Sequence, residues 1–325
     1  MTFVALTCPQ CAAPLPRAAY WRTVTCSYCG TSVSRSVQTV RRSDFGAALA
    51  RSRAALPAAP RVLAVGGERY AIHALLADGE HARVHLARRL HPFGGWVTLK
   101  LARAATGWDA DALAREARTL DALQALRAAG TPYFSQRLPQ AVALGLARFE
   151  GGAEADAAAL VLRHPVGYWG SLHDAVRLHA SALADPRHAA WIWRRALEVL
   201  GWLHEGGWTH RDLAAQHLML HPRDHGVLLV GWSRAAAGGE PGADLAQLAW
   251  AMRMMLAADP IASFAGDAAP PRSNPRVPAP LAQLLADCED ASWCGRTGAR
   301  ALHERVGRAA AEAFGPPRFV PLALG

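Results

Sequence analysis

The feature that most constrains this chain is a change in the period of its apolar residues. Tyr70 to Arg88 alternates through a glycine turn, and Trp96-Val97-Thr98-Leu99-Lys100-Leu101 is a compact run. Val142 to Leu146 and Leu160 to Leu162 follow in the same manner. Side chains on a strand alternate faces with a period of two, so these runs predict strands. One stretch among them differs: Asp109 to Arg127 carries Leu113, Ala117, Leu120 and Leu123 at helical spacing. From Ser171 onward the chain reads as helical, apart from short apolar runs at Leu218–Leu220 and Val227–Val230. A strand-rich half followed by a helical half predicts an α+β fold with two lobes and a cleft between them. A chain of 325 residues with 51% hydrophobic residues can bury one large core and carry a small second unit. No internal repeat is present.

The small unit is predicted at the start. Cys8-Pro-Gln-Cys11 and Cys26-Ser-Tyr-Cys29-Gly30 are two matched pairs with fourteen residues between them. Four thiolates at this spacing suit tetrahedral zinc, and Tyr20 to Thr25 between them reads as a strand. So short a segment buries little core, and the metal would supply its folding energy. The competing reading of a CxxC motif is a redox site. Domain boundaries follow: a zinc ribbon over 1–40, an Ala/Arg/Pro-rich linker over 41–60 with a short helix through Phe45 to Leu56, and the large domain over 61–325. The remaining cysteines, Cys288 and Cys294, read as ordinary thiols.

The net charge is +9. Basic residues gather around the ribbon's exit, at Arg35, Arg41, Arg42, Arg51, Arg53 and Arg61. A solvated linker is the first reading there and a nucleic-acid patch the second. There is no apolar run of about 18 residues to span a membrane, and Met1 to Gln10 does not read as a secretory signal. The expected location is cytoplasmic. Of the 35 basic residues all but one are arginine, as in a GC-rich genome; the exception is Lys100. A position that keeps lysine against that bias is a candidate for one that needs an ammonium and not a guanidinium.

Trp202-Leu203-His204-Glu205-Gly206-Gly207-Trp208-Thr209-His210-Arg211-Asp212-Leu213 resembles the end of a long helix running into the catalytic loop of protein kinases. The resemblance extends over roughly Arg61 to Phe314. It implies a bilobal kinase fold, a strand-rich N-lobe and a helical C-lobe, with ATP as cofactor. Val97-Thr98-Leu99-Lys100 resembles the strand whose lysine holds the nucleotide's phosphates, so the lone lysine sits where that fold needs one. Glu116 on the next helix would pair with it, and Leu120 would pack between the lobes. Gly170-Ser171-Leu172 resembles the segment after the hinge. Asp244 would hold the catalytic-loop backbone, and Glu240 with Arg296 would form an ion pair in the C-lobe. His210, Arg211 and Asp212 stand at the catalytic positions, Asp212 as a residual base.

The chain departs from that family where metal is held. The resemblance implies a magnesium-binding Asn at a position occupied by His217, and a magnesium-binding Asp at a position occupied by Gly231. Magnesium wants hard oxygen ligands in a tight octahedron, and in phosphoryl transfer the metals neutralise the developing charge. Of the phosphate-loop glycines only Gly79 remains, Ala214 replaces a common lysine, and Pro165 at the hinge lacks an N–H. Only six residues separate Ser233 from Glu240, too few for a regulated peptide-binding segment. The expected function is therefore a pseudokinase: a binding, scaffolding or regulatory module with a protein partner, retaining nucleotide without efficient transfer. The alternatives are an atypical Ser/Thr kinase using ATP with magnesium or manganese, and a nucleic-acid-binding protein acting through the ribbon.

Overall fold

The computed structural model describes residues 61–91, 94–151, 155–264 and 271–324, with Ala13, Thr23–Thr25 and Ser32–Ser34. Strands β1 (Thr23–Thr25) and β2 (Ser32–Ser34) pair antiparallel, Val24 opposite Val33. Cys8, Cys11, Cys26 and Cys29 lie outside the described residues, as do the linker and its expected helix.

The strand-rich lobe is a six-stranded closed barrel. Its strands are β3 (Arg61–Val65), β4 (Glu68–Asp78), β5 (Ala82–Arg89), β6 (Trp96–Ala102), β7 (Ala141–Phe149) and β8 (Ala157–Arg163). They run in the order β3-β4-β5-β6-β8-β7, and β3 closes the ring against β7 with Leu63 opposite Phe149. Closure leaves no unpaired edge. The interior is small and apolar, built on Leu63, Tyr70, Ile72, Leu99, Ala147 and Val161. Alternation decides what faces out of it. Val97, Leu99 and Leu101 point into the barrel, so Thr98 and Lys100 point away from it.

Helix α1 (Trp108–Gln124) lies between the lobes. Leu113, Ala117, Leu120 and Leu123 form its buried stripe, and Glu116 lies within that stripe. The short helix α2 (Thr131–Phe134) leads into β7. After the two-residue β9 (Gly170–Ser171) comes α3 (Leu172–His179), capped by the Ser171 hydroxyl, which accepts from Asp174 N. The long helix α4 (Pro186–Glu205) starts where Asp185 caps and Pro186 fits the first turn, and it buries Trp191, Ile192, Trp193, Val199, Leu200 and Leu203.

The chain then turns through β10 (Trp208–Thr209), β11 (Leu218–His221), β12 (Gly226–Leu229) and β13 (Ala236–Ala237). β11 lies between β12 and β9, and β13 pairs with β10. Helices α5 (Pro241–Met255), α6 (Pro260–Phe264), α7 (Ala279–Asp287) and α8 (Ala291–Phe314) complete the lobe, with α4, α5 and α8 packed on one another. Gly298, at φ +75°, kinks α8. Among the described residues no helix is long and apolar enough to cross a membrane.

The segment between β12 and α5 is as short as its sequence predicts: one turn at Trp232–Arg234, the two residues of β13, then the helix. The expected Glu240–Arg296 pair is not formed. Arg296 instead donates to the Ser292 hydroxyl at 3.0 Å and lies 3.8 Å from Asp290, both at the start of its own helix, where local partners compete with the more distant Glu240.

Candidate functional site

Lys100 leaves β6 on the side away from the barrel and meets Glu116 of α1. Its ammonium donates to both carboxylate oxygens, at 2.7 and 2.6 Å. The Glu116 carboxylate is almost fully buried and Lys100 nearly so. A carboxylate inside an apolar stripe needs such a partner, because an unpaired buried charge is strongly unfavourable. The same carboxylate accepts a long hydrogen bond, 3.4 Å, from the backbone N–H of Trp232. The pair thereby ties barrel, helix and the turn after β12 together.

On the opposite wall the loop after β10 is held from below. Asp244, in the first turn of α5, accepts the N–H of His210 at 2.8 Å, the N–H of Arg211 at 2.7 Å and Nε2–H of His204 at 2.9 Å. Burial alone would raise this carboxyl's pKa; His204 and the two backbone donors outweigh it and keep the value below the ordinary one. Arg211 has a left-handed backbone, φ +65°, and its guanidinium donates to Thr209 Oγ1 at 3.0 Å. His210 donates from Nε2 to the carbonyl of Val230 at 3.2 Å and packs against the Trp232 indole, centroids 4.4 Å apart. Burial depresses its pKa to about 3. The loop is thus clamped, and Asp212 at its tip keeps a third of its side-chain surface exposed to the cleft.

His217 and Gly231 meet. The imidazole donates from Nδ1 to the backbone carbonyl of Asp212 at 2.6 Å, and its other edge lies over Gly231. A Cβ built on Gly231 would stand 2.7 Å from His217 Cδ2 and Nε2. Gly231 itself sits at φ +83°, a conformation that side chains resist. Here a magnesium ion does not fit: Gly231 brings no side-chain oxygen, the imidazole fills the space beside it, and Nδ1 is already committed.

Arg234, which the sequence did not single out, stands over Asp212. Its Nε is 3.9 Å from Asp212 Oδ2, and its Nη2 donates to Glu80 Oε2 at 3.2 Å. Glu80 belongs to the turn between β4 and β5, the counterpart of a phosphate loop. That turn is closed on itself: Gly79 N donates to Ala82 O, while Arg103 grips Asp78, the Gly79 carbonyl and the Glu80 carbonyl. At the hinge, the N–H groups of Arg163 and His164 donate to the carbonyls of Gln140 and Trp96, and Pro165 has none. A base would find few donors there.

Beside Asp212 opens a groove of about 640 Å³. Leu213, Gln247, Trp250, Arg253, Cys288 and Glu289 line it. Gln247 anchors the loop by accepting Leu213 N–H at 2.9 Å, Arg253 pairs with Glu289, and Trp250 is 44% exposed. Spacing alone could not reveal this groove, because its residues come from three separate elements.

A cleft with a buried lysine–glutamate pair on one wall and a clamped His-Arg-Asp loop on the other has the layout of the protein-kinase-like superfamily. Residues 72–236 match the model of the lipopolysaccharide kinase (Kdo/WaaP) family. The chain belongs to this family. No curated protein matches the chain. The match begins in β4 and ends in β13, so the Kdo/WaaP domain carries Lys100, Glu116, Asp212, His217, Gly231 and Arg234 alike. Membership in a kinase family points to ATP as the phosphate source, and the resemblance to protein kinases holds at the level of the superfamily. Among the described residues no cluster of three or more His, Cys, Asp or Glu is placed to hold a metal ion.

Proposed function

We propose that the chain is a degenerate Kdo/WaaP-family kinase that binds nucleotide through Lys100 and acts as a regulatory or scaffolding module without efficient phosphoryl transfer. The observation that carries this reading is the His217 ring packed on Gly231. Transfer needs metal ions to neutralise charge on the phosphates. Here both positions that would hold them have lost their oxygens, and one has filled the space of the other. The retained Lys100–Glu116 pair supports nucleotide binding, and its output would pass through a protein partner. The test is incubation of the purified protein with γ-labelled ATP, magnesium or manganese, and a lipopolysaccharide core saccharide. No label should leave ATP. Turnover that Asp212→Asn abolishes would overturn the reading.

The groove beside Asp212 favours a second reading, an active atypical kinase whose acceptor hydroxyl enters there. Trp250 offers an apolar platform and Arg253, Glu289 and Gln247 offer polar partners, as a saccharide would require. The family's name makes lipopolysaccharide the first acceptor to try. A Trp250→Ala variant that raises KM for the saccharide while sparing any ATP hydrolysis would support it.

For the N-terminal segment we propose structural zinc on Cys8, Cys11, Cys26 and Cys29. Metal analysis should find about one zinc per chain, lost in Cys26→Ser.

A further inference from the structure

The mismatch between this cleft and a magnesium ion raises the question of what would balance a nucleotide's phosphates, given that Lys100 is already neutralised by Glu116 at two short contacts. Three features point to one side chain. Arg234 spans the mouth of the cleft, from Glu80 on the upper turn to Asp212 on the lower loop. Both of its pairings are exposed: Glu80 is 71% exposed, Arg234 54% and Asp212 33%. Such pairs are weak, and a polyphosphate with several charges competes well for a guanidinium, whose planar fork matches phosphate oxygens. Arg103, a cation that reaches this turn from the end of β6, is committed to three oxygens, of Asp78, Gly79 and Glu80. The turn's own Gly79 N–H is committed to Ala82. Backbone donors are thus scarce, and charge must come from a side chain.

We propose that this cleft takes a nucleoside triphosphate without a divalent cation, and that Arg234, released from Glu80 and Asp212, supplies beside Lys100 the positive charge that a metal brings elsewhere. The proposal rests on the nucleotide-binding half of the reading above. It assigns the phosphate end of the ligand to two cationic side chains and makes Glu80 a competitor that holds Arg234 in place until the ligand arrives.

Calorimetric titration of the full-length protein with ATP in EDTA, and again in excess magnesium, tests it, with Lys100→Met, Arg234→Gln, Arg234→Lys and Glu80→Gln alongside. Binding is expected in EDTA and is not tightened by magnesium. Arg234→Gln should weaken it about tenfold or more, Arg234→Lys less, and Glu80→Gln should tighten it. Inorganic tripolyphosphate run in parallel separates a nucleotide site from a general polyphosphate site: ATP must bind more tightly for the proposal to stand. Because Arg234 is exposed, an unchanged melting temperature of Arg234→Gln shows that the fold is intact. Wild-type binding seen only with magnesium overturns the proposal and leaves the nucleotide site standing. Equal affinity of wild type and Arg234→Gln in EDTA also overturns it. Absence of ATP binding under every condition removes the nucleotide reading and this inference together.

Discussion

Gly231 and His217 are a coupled pair, so substitutions there should not act independently. Gly231→Ala forces a left-handed alanine and drives its methyl group into the imidazole. The expected cost is about 1–3 kcal/mol, measured by denaturant titration. Adding His217→Ala removes the collision but not the backbone strain, so the double variant should be less destabilised than the sum of the singles. Strict additivity would mean that the ring does not occupy that space. Lys100 and Glu116 behave differently. Removing the lysine strands the Glu116 carboxylate, the more deeply buried of the two charges, so Lys100→Met should cost about 3–5 kcal/mol, at least as much as Glu116→Ala, which strands an ammonium that keeps some contact with solvent. Costs below about 1 kcal/mol for both variants in denaturant titrations would argue against a buried pair. The hinge adds an expectation about ligand choice: with Arg163 and His164 N–H groups bonded to the chain and Pro165 lacking one, ATP and GTP should bind with similar affinity in competition titrations.

Among elements, a very close approach lies where α5 begins beside α8. Gly242 touches the chain at Ala291 and Gly295 so closely that a Cβ would meet the Ala291 carbonyl and stand 2.7 Å from Gly295 N. Backbone cannot rotate away as a side chain tip can, so Gly242→Ala should separate the helices and cost about 1–3 kcal/mol. For a domain of this size each kcal/mol lowers Tm by about 2–4 °C. The consequence reaches the site, because α5 carries Asp244, whose carboxylate holds the loop bearing Asp212. A Gly242→Ala protein with unchanged Tm would place this contact elsewhere. The same helix illustrates what was legible in advance. Asp244 could be read as the loop's anchor through the resemblance of its segment to the central helix of protein kinases, whereas Arg296 chose Asp290 and Ser292 over Glu240, since a helix start offers its own acceptors at shorter range.

Across the whole molecule, buried histidines set the response to acid. Burial lowers the pKa of His210 to about 3, and also lowers that of His225, stacked between Trp191 and Phe319, to about 3. Unfolded, both would titrate near the usual value of about 6.5. Between these values the unfolded chain binds protons that the folded chain refuses, so stability falls as pH drops from about 6.5 toward 3. Each histidine contributes up to about 1.4 kcal/mol per pH unit in that window. Chemical denaturation at pH 7.5 and 5 should show this loss, and His225→Gln should reduce its slope; a pH-independent midpoint over that range would show that these groups do not govern it.

The sequence by itself determined the two-lobed order of elements, the strand that carries Lys100, the helix that carries Glu116, and the loop around Asp212. It also showed that His217 and Gly231 lack the oxygens that magnesium needs. Periodicity settled the order of elements, the resemblance to protein kinases assigned the positions, and the chemistry of single side chains judged the fit to magnesium; all of these are local matters. Only the tertiary structure decided that β3 closes the barrel on β7, that the His217 ring lies on Gly231, that Arg234 bridges Glu80 to Asp212, and that Trp250, Arg253 and Glu289 share a groove with Asp212. Each of these joins residues far apart in the chain or turns on the direction in which a side chain leaves its backbone, and such contacts have no signature in spacing because packing of the whole chain selects them.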